Sequence, residues 1–276
     1  MVLATDISRV YRQNSKVEAV LLGGSVSRNW YDEYSDIELF VFWKESPTDE
    51  DRKASIHTVN GSIIDFHPYE EEEWSETYTT NGIKLEISNF LTSTVQSIIN
   101  DVTLSFDTDL EKQCLVASVF NGISLGGEEV IRKLKKNVEI YPKKLSEAMI
   151  RENIHLGLGS RWSNREALLA REDWLMLYKV IVAVQTNLLG ILFGLNRQYV
   201  HHPPFKWQKY SLEAMNIVPK NVSQRFTSIL VEHPKDSVRE LEGIIQEIYQ
   251  LIKGEYPTMN LSKVMNQALF LRPKNR

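Results

Sequence analysis

Residues 23–39 read "GGSVSRNWYDEYSDIEL" and join a turn of small residues to two acids, Asp36 and Glu38, that alternate with apolar residues. Successive side chains of a β-strand point to opposite faces, so both acids are expected on one face. Two carboxylates this close repel one another, and neither is easily buried without a cation. Because the strand continues as apolar "FVFW" (residues 40–43), we expect a divalent cation there, and magnesium is the ion that combines one or two carboxylates with phosphate oxygens.

Two further features support a site of this kind. Asp65 lies in the next apolar run, "SIIDFHPY" (residues 62–69), and would supply a third carboxylate if that strand lay beside the first. The turn at Gly24 and Ser25 lacks bulky side chains, so its backbone N–H groups could hold a phosphate. The guanidinium of Arg28 could bind the same phosphate with two parallel hydrogen bonds. The combination predicts an anion-holding turn next to a cation-holding group of acids.

The chain has 276 residues, 42% of them hydrophobic and 25% charged, as in an ordinary globular protein. The first 100 residues contain 17 acidic and 8 basic residues, and the remainder contains 19 acidic and 24 basic ones. The residue pattern changes from short apolar strands to segments with helical spacing near residue 115. We therefore predict an α+β protein, with a mixed sheet and flanking helices in residues 1–115 and an all-helical bundle in residues 116–276.

Three segments bear on how the site is built. The acidic run 70–73 is expected to open a helix, because negative charge favours a helix N-terminus. The segment "IKLEISNF" (residues 83–90) is ambiguous between a strand and the start of a helix. The apolar stretch 174–195 has the length of a membrane span, but Lys179 and Gln185 would be costly in lipid, so we expect a buried helix.

The motif "GGSVSRNWYDEYSDIELFVFW…GSIIDFHPY" resembles the signature of the DNA polymerase β-type nucleotidyltransferases: Gly-Gly or Gly-Ser, a short gap, an Asp-x-Asp or Asp-x-Glu pair, and a third acid on a later strand. Within that superfamily it is most similar to small bacterial enzymes of the aminoglycoside nucleotidyltransferase kind, which have helical C-terminal domains. The resemblance covers about 50 residues and constrains the acceptor only loosely.

The resemblance implies a role for each residue of the motif. Gly24 and Ser25 would hold the triphosphate, and Asp36, Glu38 and Asp65 would be the catalytic residues that hold two Mg²⁺ ions. A nucleoside monophosphate would pass from a nucleoside triphosphate to a hydroxyl of a small acceptor such as an aminoglycoside-like antibiotic. ATP is the expected donor, and pyrophosphate would leave.

The helical half offers further candidates by the same resemblance. Lys206 is expected to contact phosphate, together with Arg28. Glu152 and His155, three residues apart on one predicted helical face, are candidates for a general base.

Two alternatives remain open from the sequence. One is transfer to a protein acceptor (AMPylation), as in toxin–antitoxin pairs, and the other is a nucleotide-binding regulatory module without catalysis. The acidic first half disfavours nucleic acid as a partner, and neither a membrane partner nor a signal segment is expected. A single cysteine, Cys114, fits a cytoplasmic location, and the resemblance leaves a homodimer open.

Overall fold

The computed structural model describes residues 1–156, 161–203 and 205–274 of the chain. These residues form two compact units, Met1–Ile140 and Tyr141–Arg276. The first unit combines a mixed sheet with helices, whereas the described part of the second is helical. The predicted α+β class with a helical C-terminal region is therefore confirmed.

The division between the units falls at residue 140 rather than at the expected residue 115. Residue 115 lies inside helix α5 (Leu110–Asn121). Strand β6 (Ile123–Gly126) then pairs with the sheet, and helix α6 (Glu128–Val138) packs against it. The helical pattern from residue 115 onward therefore begins with helices of the first unit, which the sequence pattern assigned to the second.

Over residues 1–140 the chain alternates between helices and strands. In chain order the elements are α1 (Val2–Tyr11), β1 (Val17–Leu22), α2 (Gly24–Ser27), β2 (Ile37–Trp43), α3 (Asp49–Thr58), β3 (Ser62–Phe66), β4 (Trp74–Thr80), β5 (Ile83–Leu91), α4 (Thr92–Thr103), α5, β6 and α6.

The six strands form one mixed sheet in the order β3-β4-β5-β2-β1-β6. Strands β2 and β5 are parallel, and the other neighbouring pairs are antiparallel. The segment 83–90 is thus a strand, and its place beside β2 decides which residues meet the acids of the first motif. The acidic run 70–73 does not open a helix, because Glu70 and Glu73 pair in a tight turn that leads directly into β4.

One face of the sheet carries the hydrophobic core with helices α1 and α3. Its strands follow a period of two, as in β2, where Ile37, Leu39 and Val41 are buried in this core. Tyr11 of α1 and Ile56 of α3 close the core from the helical side. The alternate positions of β2 therefore face the opposite side of the sheet.

A buried ion pair lies within this core. Arg52 of α3 donates from Nη1 to Glu76 Oε2 of β4 at 3.1 Å, and both side chains are fully buried. Asn89 of β5 and Tyr11 of α1 also donate to the Glu76 carboxylate, at 2.9 and 3.2 Å. Burial raises the pKa of Glu76 to about 7, while the Asn89 hydrogen bond and the Arg52 charge oppose that rise. The Glu76 carboxylate thus links helices α1 and α3 to strands β4 and β5.

The second unit is built from helices over its described residues. They are α7 (Lys143–Asn153), a 3₁₀ turn (Trp162–Asn164), α8 (Arg165–Ala170), α9 (Trp174–Leu195), α10 (Gln208–Glu213), α11 (Val222–Val231), α12 (Pro234–Glu255) and α13 (Ser262–Leu269).

Helix α9 is long and apolar enough to cross a membrane. More than half of its most apolar segment is nevertheless buried within the protein, and it packs against α7 and α12. That burial is typical of the core helix of a soluble domain, as expected from the polar residues inside it.

Candidate functional site

The turn after β1 lies directly against the start of β2. The backbone N–H of Gly23 donates to the carbonyl oxygen of Glu38 at 3.0 Å. Gly24 follows with a φ of +62°, and a Cβ there would stand 2.3 Å from Cδ of Glu38. Only glycine satisfies both the left-handed backbone and this close approach. The glycine therefore lets the Glu38 carboxylate lie against the turn.

Three carboxylates converge beside this turn. Asp36 precedes β2, Glu38 belongs to β2, and Glu86 belongs to β5, where it is the direct cross-strand partner of Glu38. One oxygen from each lies within 4.8 Å of the others, and all three residues are partly buried. Asp36 and Glu38 share one face of β2, as predicted. We call these three residues the carboxylate cluster.

Lys84 contributes a positive charge to the carboxylate cluster. It lies two residues before Glu86 on β5, on the same face, and its Nζ is 3.3 Å from Oδ2 of Asp36. The ammonium also donates to Oε1 of Glu86 in a short contact. The hydrogen bond to Glu86, and to a smaller extent that to Asp36, raises the pKa of Lys84. The cluster thus already accommodates a cation.

Asp65, the expected third acid, does not join the cluster. It lies on β3, the edge strand, and is exposed. Its cross-strand partner is Thr77 of β4, which in turn pairs with Glu86. Asp65 therefore belongs to the same row of residues across the sheet, but two strands separate it from β2. Since neighbouring strands are about 4.8 Å apart, the distance is too large for a shared ion.

Glu86 is the residue that sequence reasoning missed. The segment 83–90 contains a usable signal, because Ile83, Leu85 and Ile87 alternate with polar residues in the two-residue period of a strand. On that pattern Glu86 is an acid on the polar face of an apolar strand, as Glu38 is on β2.

Ser25 and Arg28, two further residues predicted to hold phosphate, both lie in or next to the turn after β1. Ser25 is buried in the single turn of α2, and Arg28 donates from Nη1 to the carbonyl oxygen of Gly24 at 3.0 Å. Nε and Nη2 of Arg28 are buried, and within the described residues neither has a hydrogen-bond partner. Burial lowers the pKa of this guanidinium. Arg28 therefore supports the turn with one nitrogen and keeps two donors for another acceptor.

The other predicted residues belong to the second unit. Glu152 lies in the last turn of α7, whereas His155 comes after the helix has ended at Asn153. The two residues therefore do not share a helical face, contrary to the expectation. Glu152, His155 and Lys206 are each exposed, and their roles stay predictions.

A cavity of about 810 Å³ opens on the face of the sheet that carries Glu38. The sheet forms its floor, helices α4 and α5 contribute one wall, and the β3–β4 turn contributes another. Its lining residues are Glu38, Phe40, His67, Pro68, Glu70, Glu71, Glu72, Glu73, Ser75, Ser88, Phe90, Ile98, Glu111, Lys112, Cys114 and Leu115.

The cavity is strongly acidic. Six of its lining residues are glutamates, and its one lysine, Lys112, pairs with Asp101 and Asp107 at 2.8 and 2.9 Å. Burial, followed by the charges of Glu111 and neighbouring glutamates, raises the pKa of Glu73 to about 7. A ligand that brings positive charge would relieve this repulsion.

The carboxylate cluster fits a hard divalent cation. Its donors are all carboxylate oxygens, which Mg²⁺ prefers over nitrogen or sulfur ligands. A positively charged group, the Lys84 ammonium, already lies between two of the three acids. The adjoining turn, with its glycine backbone and Arg28, is suited to phosphate oxygens that complete the shell of such an ion.

Comparisons with known proteins give the following similarities. A family model described as "Domain of unknown function (DUF4037)" matches residues 108–208. No curated protein sequence matches the chain significantly. Among solved structures, that of a nucleotidyltransferase-like protein from Exiguobacterium sibiricum 255-15 aligns with a TM-score of 0.44 and 11% identity, over 96% of this chain and 78% of that chain. The function is therefore inferred from the geometry of the site.

Proposed function

We propose that the protein is a metal-dependent nucleotidyltransferase that moves a nucleoside monophosphate from a triphosphate to a hydroxyl of a small cationic acceptor. The observation that carries the proposal is the convergence of Asp36, Glu38 and Glu86 beside the Gly24 turn. A cation site directly against an anion site is what a metal–triphosphate complex requires.

Asp36, Glu38 and Glu86 would hold Mg²⁺ through their oxygens. When bound, Mg²⁺ neutralises charge on the triphosphate and lowers the pKa of a coordinated hydroxyl. The chain's own contribution is to place the three acids on and directly before two paired strands, so that the acid backbones need little reorganisation on binding.

The turn supplies the anion-holding half. Gly23 and Gly24 bring no side chains of their own to the turn, and Arg28 keeps two buried donors beside it. A phosphate oxygen would satisfy those donors with charge-assisted hydrogen bonds. We assign Gly24, Ser25 and Arg28 to the triphosphate, and Lys206 remains a proposed further contact.

The reaction balances without any redox partner. The acceptor oxygen forms a bond to the α-phosphorus, the bond from that phosphorus to the β-phosphate oxygen breaks, and pyrophosphate leaves with the electron pair. The hydroxyl proton passes to a base, for which Glu152 and His155 remain candidates.

The acidic cavity supports a cationic acceptor. It adjoins Glu38, so a ligand in it would lie next to the carboxylate cluster. Its glutamates favour an aminated sugar or polyamine alcohol over a neutral or anionic molecule. An aminoglycoside-like compound belongs to this class. We propose the cytoplasm as the location, in keeping with the single cysteine.

The test is pyrophosphate release from each of the four nucleoside triphosphates with Mg²⁺ or Mn²⁺, against a panel of aminoglycosides, polyamine alcohols and neutral sugars. We expect metal-dependent release with a cationic acceptor, and a mass increase of that acceptor by one nucleotidyl group. Asp36→Asn should lower the rate by at least about 100-fold.

A full rate in folded Asp36→Asn would contradict the proposal. Label from α-labelled ATP on protein instead of the small molecule would indicate AMPylation. Triphosphate binding that is indifferent to metal, without turnover, would indicate a regulatory module.

A further inference from the structure

The side-chain ammonium of Lys84 lies between Asp36 and Glu86. Its Nζ contacts one oxygen of each acid, and both acids belong to the carboxylate cluster. A metal ion bound by these acids would need the same carboxylate lone pairs. The ammonium and the ion therefore compete for one position.

We propose that Lys84 is an internal counter-cation that occupies the carboxylate cluster until a divalent metal ion displaces it. This inference rests on the proposed function, because it takes the cluster to be a metal site. It assigns Lys84 to positioning and metal exchange, with no contact to the reacting atoms.

The charges of the cluster explain why such a cation is present. Three carboxylates with oxygens within 4.8 Å of one another repel strongly when all are ionised. The ammonium offsets one of these charges in the metal-free protein. A divalent ion offsets two, so exchange of the lysine for the metal leaves the cluster closer to neutral.

The side chain of Lys84 is also able to leave. It is 45% exposed, and its flexible four-carbon stem lets the ammonium move into water without a backbone change. Glu38, the third acid, is partly buried on the neighbouring strand and lies beside Gly24. The ammonium can therefore leave the carboxylate cluster while the backbone of Lys84 stays in β5.

The consequence is a measurable loss of metal affinity. Binding of the ion includes the cost of breaking both Lys84 ion pairs, so the observed affinity is lower than that of the acids alone. Lys84→Met keeps most of the length of the side chain and removes its charge. From the usual strength of partly exposed ion pairs, we expect Mn²⁺ to bind this variant roughly three- to thirtyfold more tightly.

The experiment is calorimetric titration of Mn²⁺, and separately Mg²⁺, into wild type, Lys84→Met and Lys53→Met, without any nucleotide. Lys53 is a matched control, since it is 41% exposed and pairs with Asp49 on α3. Melting temperatures with and without metal give a second readout. Of the two variants, we expect only Lys84→Met to bind Mn²⁺ more tightly than wild type. Its melting temperature should be lower than that of wild type without metal, and metal should raise it by more.

The outcomes separate the two proposals. Equal or weaker Mn²⁺ binding by Lys84→Met, with clear binding by wild type, would overturn the role of Lys84 and leave the metal site standing. Absence of binding in all three folded proteins would overturn the metal site and the inference together. Lys84→Gln provides a second neutral variant should Lys84→Met fail to fold.

Discussion

Glu38 and Glu86 lie directly opposite one another on two parallel strands, β2 and β5. In such a pair both side chains point to the same face, and their Cα atoms are about 5 Å apart. Asp36 lies two residues before Glu38, which is one period of a strand, so its carboxylate is on the same face and meets the other two. The third acid of the site therefore comes from the neighbouring strand in the sheet, rather than from the next strand in the sequence.

The two candidate third acids give opposite expectations. Glu86→Gln removes one charge from the carboxylate cluster, and we expect it to weaken Mn²⁺ binding at least about tenfold and to abolish turnover, because a neutral amide is a poor ligand for a hard ion. Asp65→Asn should leave both within about twofold, since Asp65 is exposed on the edge strand. Calorimetry measures the affinity, and pyrophosphate release measures the rate. A loss confined to Asp65→Asn would mean that β3 supplies the ligand after all.

Gly24→Ala should damage both stability and metal binding. The added Cβ meets the Glu38 carboxylate at 2.3 Å, and the φ of +62° is strained for alanine. Gly82→Ala is the control, because Gly82 has a φ of +74° and nothing within 4 Å of the new atom. The control should lose about 1 kcal/mol of unfolding free energy from strain alone. Gly24→Ala should lose more and also bind Mn²⁺ less tightly; equal losses, with metal binding intact, would exclude the contact with Glu38.

The pKa of Glu73 predicts a pH-dependent stability. In the unfolded chain this carboxyl loses its proton near 4.5, whereas in the folded protein it does so at about 7. Between those values the folded state binds more protons, so its free energy of unfolding falls as pH rises, by up to about 3 kcal/mol, and is level above pH 7. Urea unfolding of wild type and Glu73→Gln at pH 4.5–8 isolates this contribution by difference. Parallel curves would show that Glu73 ionises normally.

The buried ion pair between Arg52 and Glu76 gives a stability prediction remote from the carboxylate cluster. Arg52→Met leaves the Glu76 carboxylate buried without its charged partner, and we expect a loss of about 3–5 kcal/mol in unfolding free energy. Lys53→Met, one residue away, breaks an exposed pair with Asp49 at 3.8 Å and a cation–π contact with Phe66, and should cost about 1 kcal/mol. Chemical denaturation of both variants checks the difference. Similar losses would mean that the buried pair contributes no more than a surface one.

The half of the site around residues 23–39 could be predicted from sequence because its determinants are local. Alternation places Asp36 and Glu38 on one face, and the glycine pair marks a turn at the end of β1. Both features lie within one stretch of chain. Burial of helix α9 was likewise predictable, since its polar residues made a lipid environment costly.

The third acid could not be predicted, because strand order is not a local property. Asp65 and Glu86 are each an acid inside an apolar strand segment, and they even share one row across the sheet. Only the pairing of β5 with β2 distinguishes them. The same reason accounts for the domain boundary, since helices α5 and α6 have ordinary helical patterns and only their packing assigns them to the sheet.

The parallel pairing of β2 with β5 also governs when the site can form. Helix α3 and strands β3 and β4 lie between these two strands in the chain, so their contact is non-local and is expected to form late in folding. A nascent or partly folded chain would therefore have no place for the ion, which would bind the native state alone. Divalent metal should accordingly slow unfolding while leaving the refolding rate nearly unchanged.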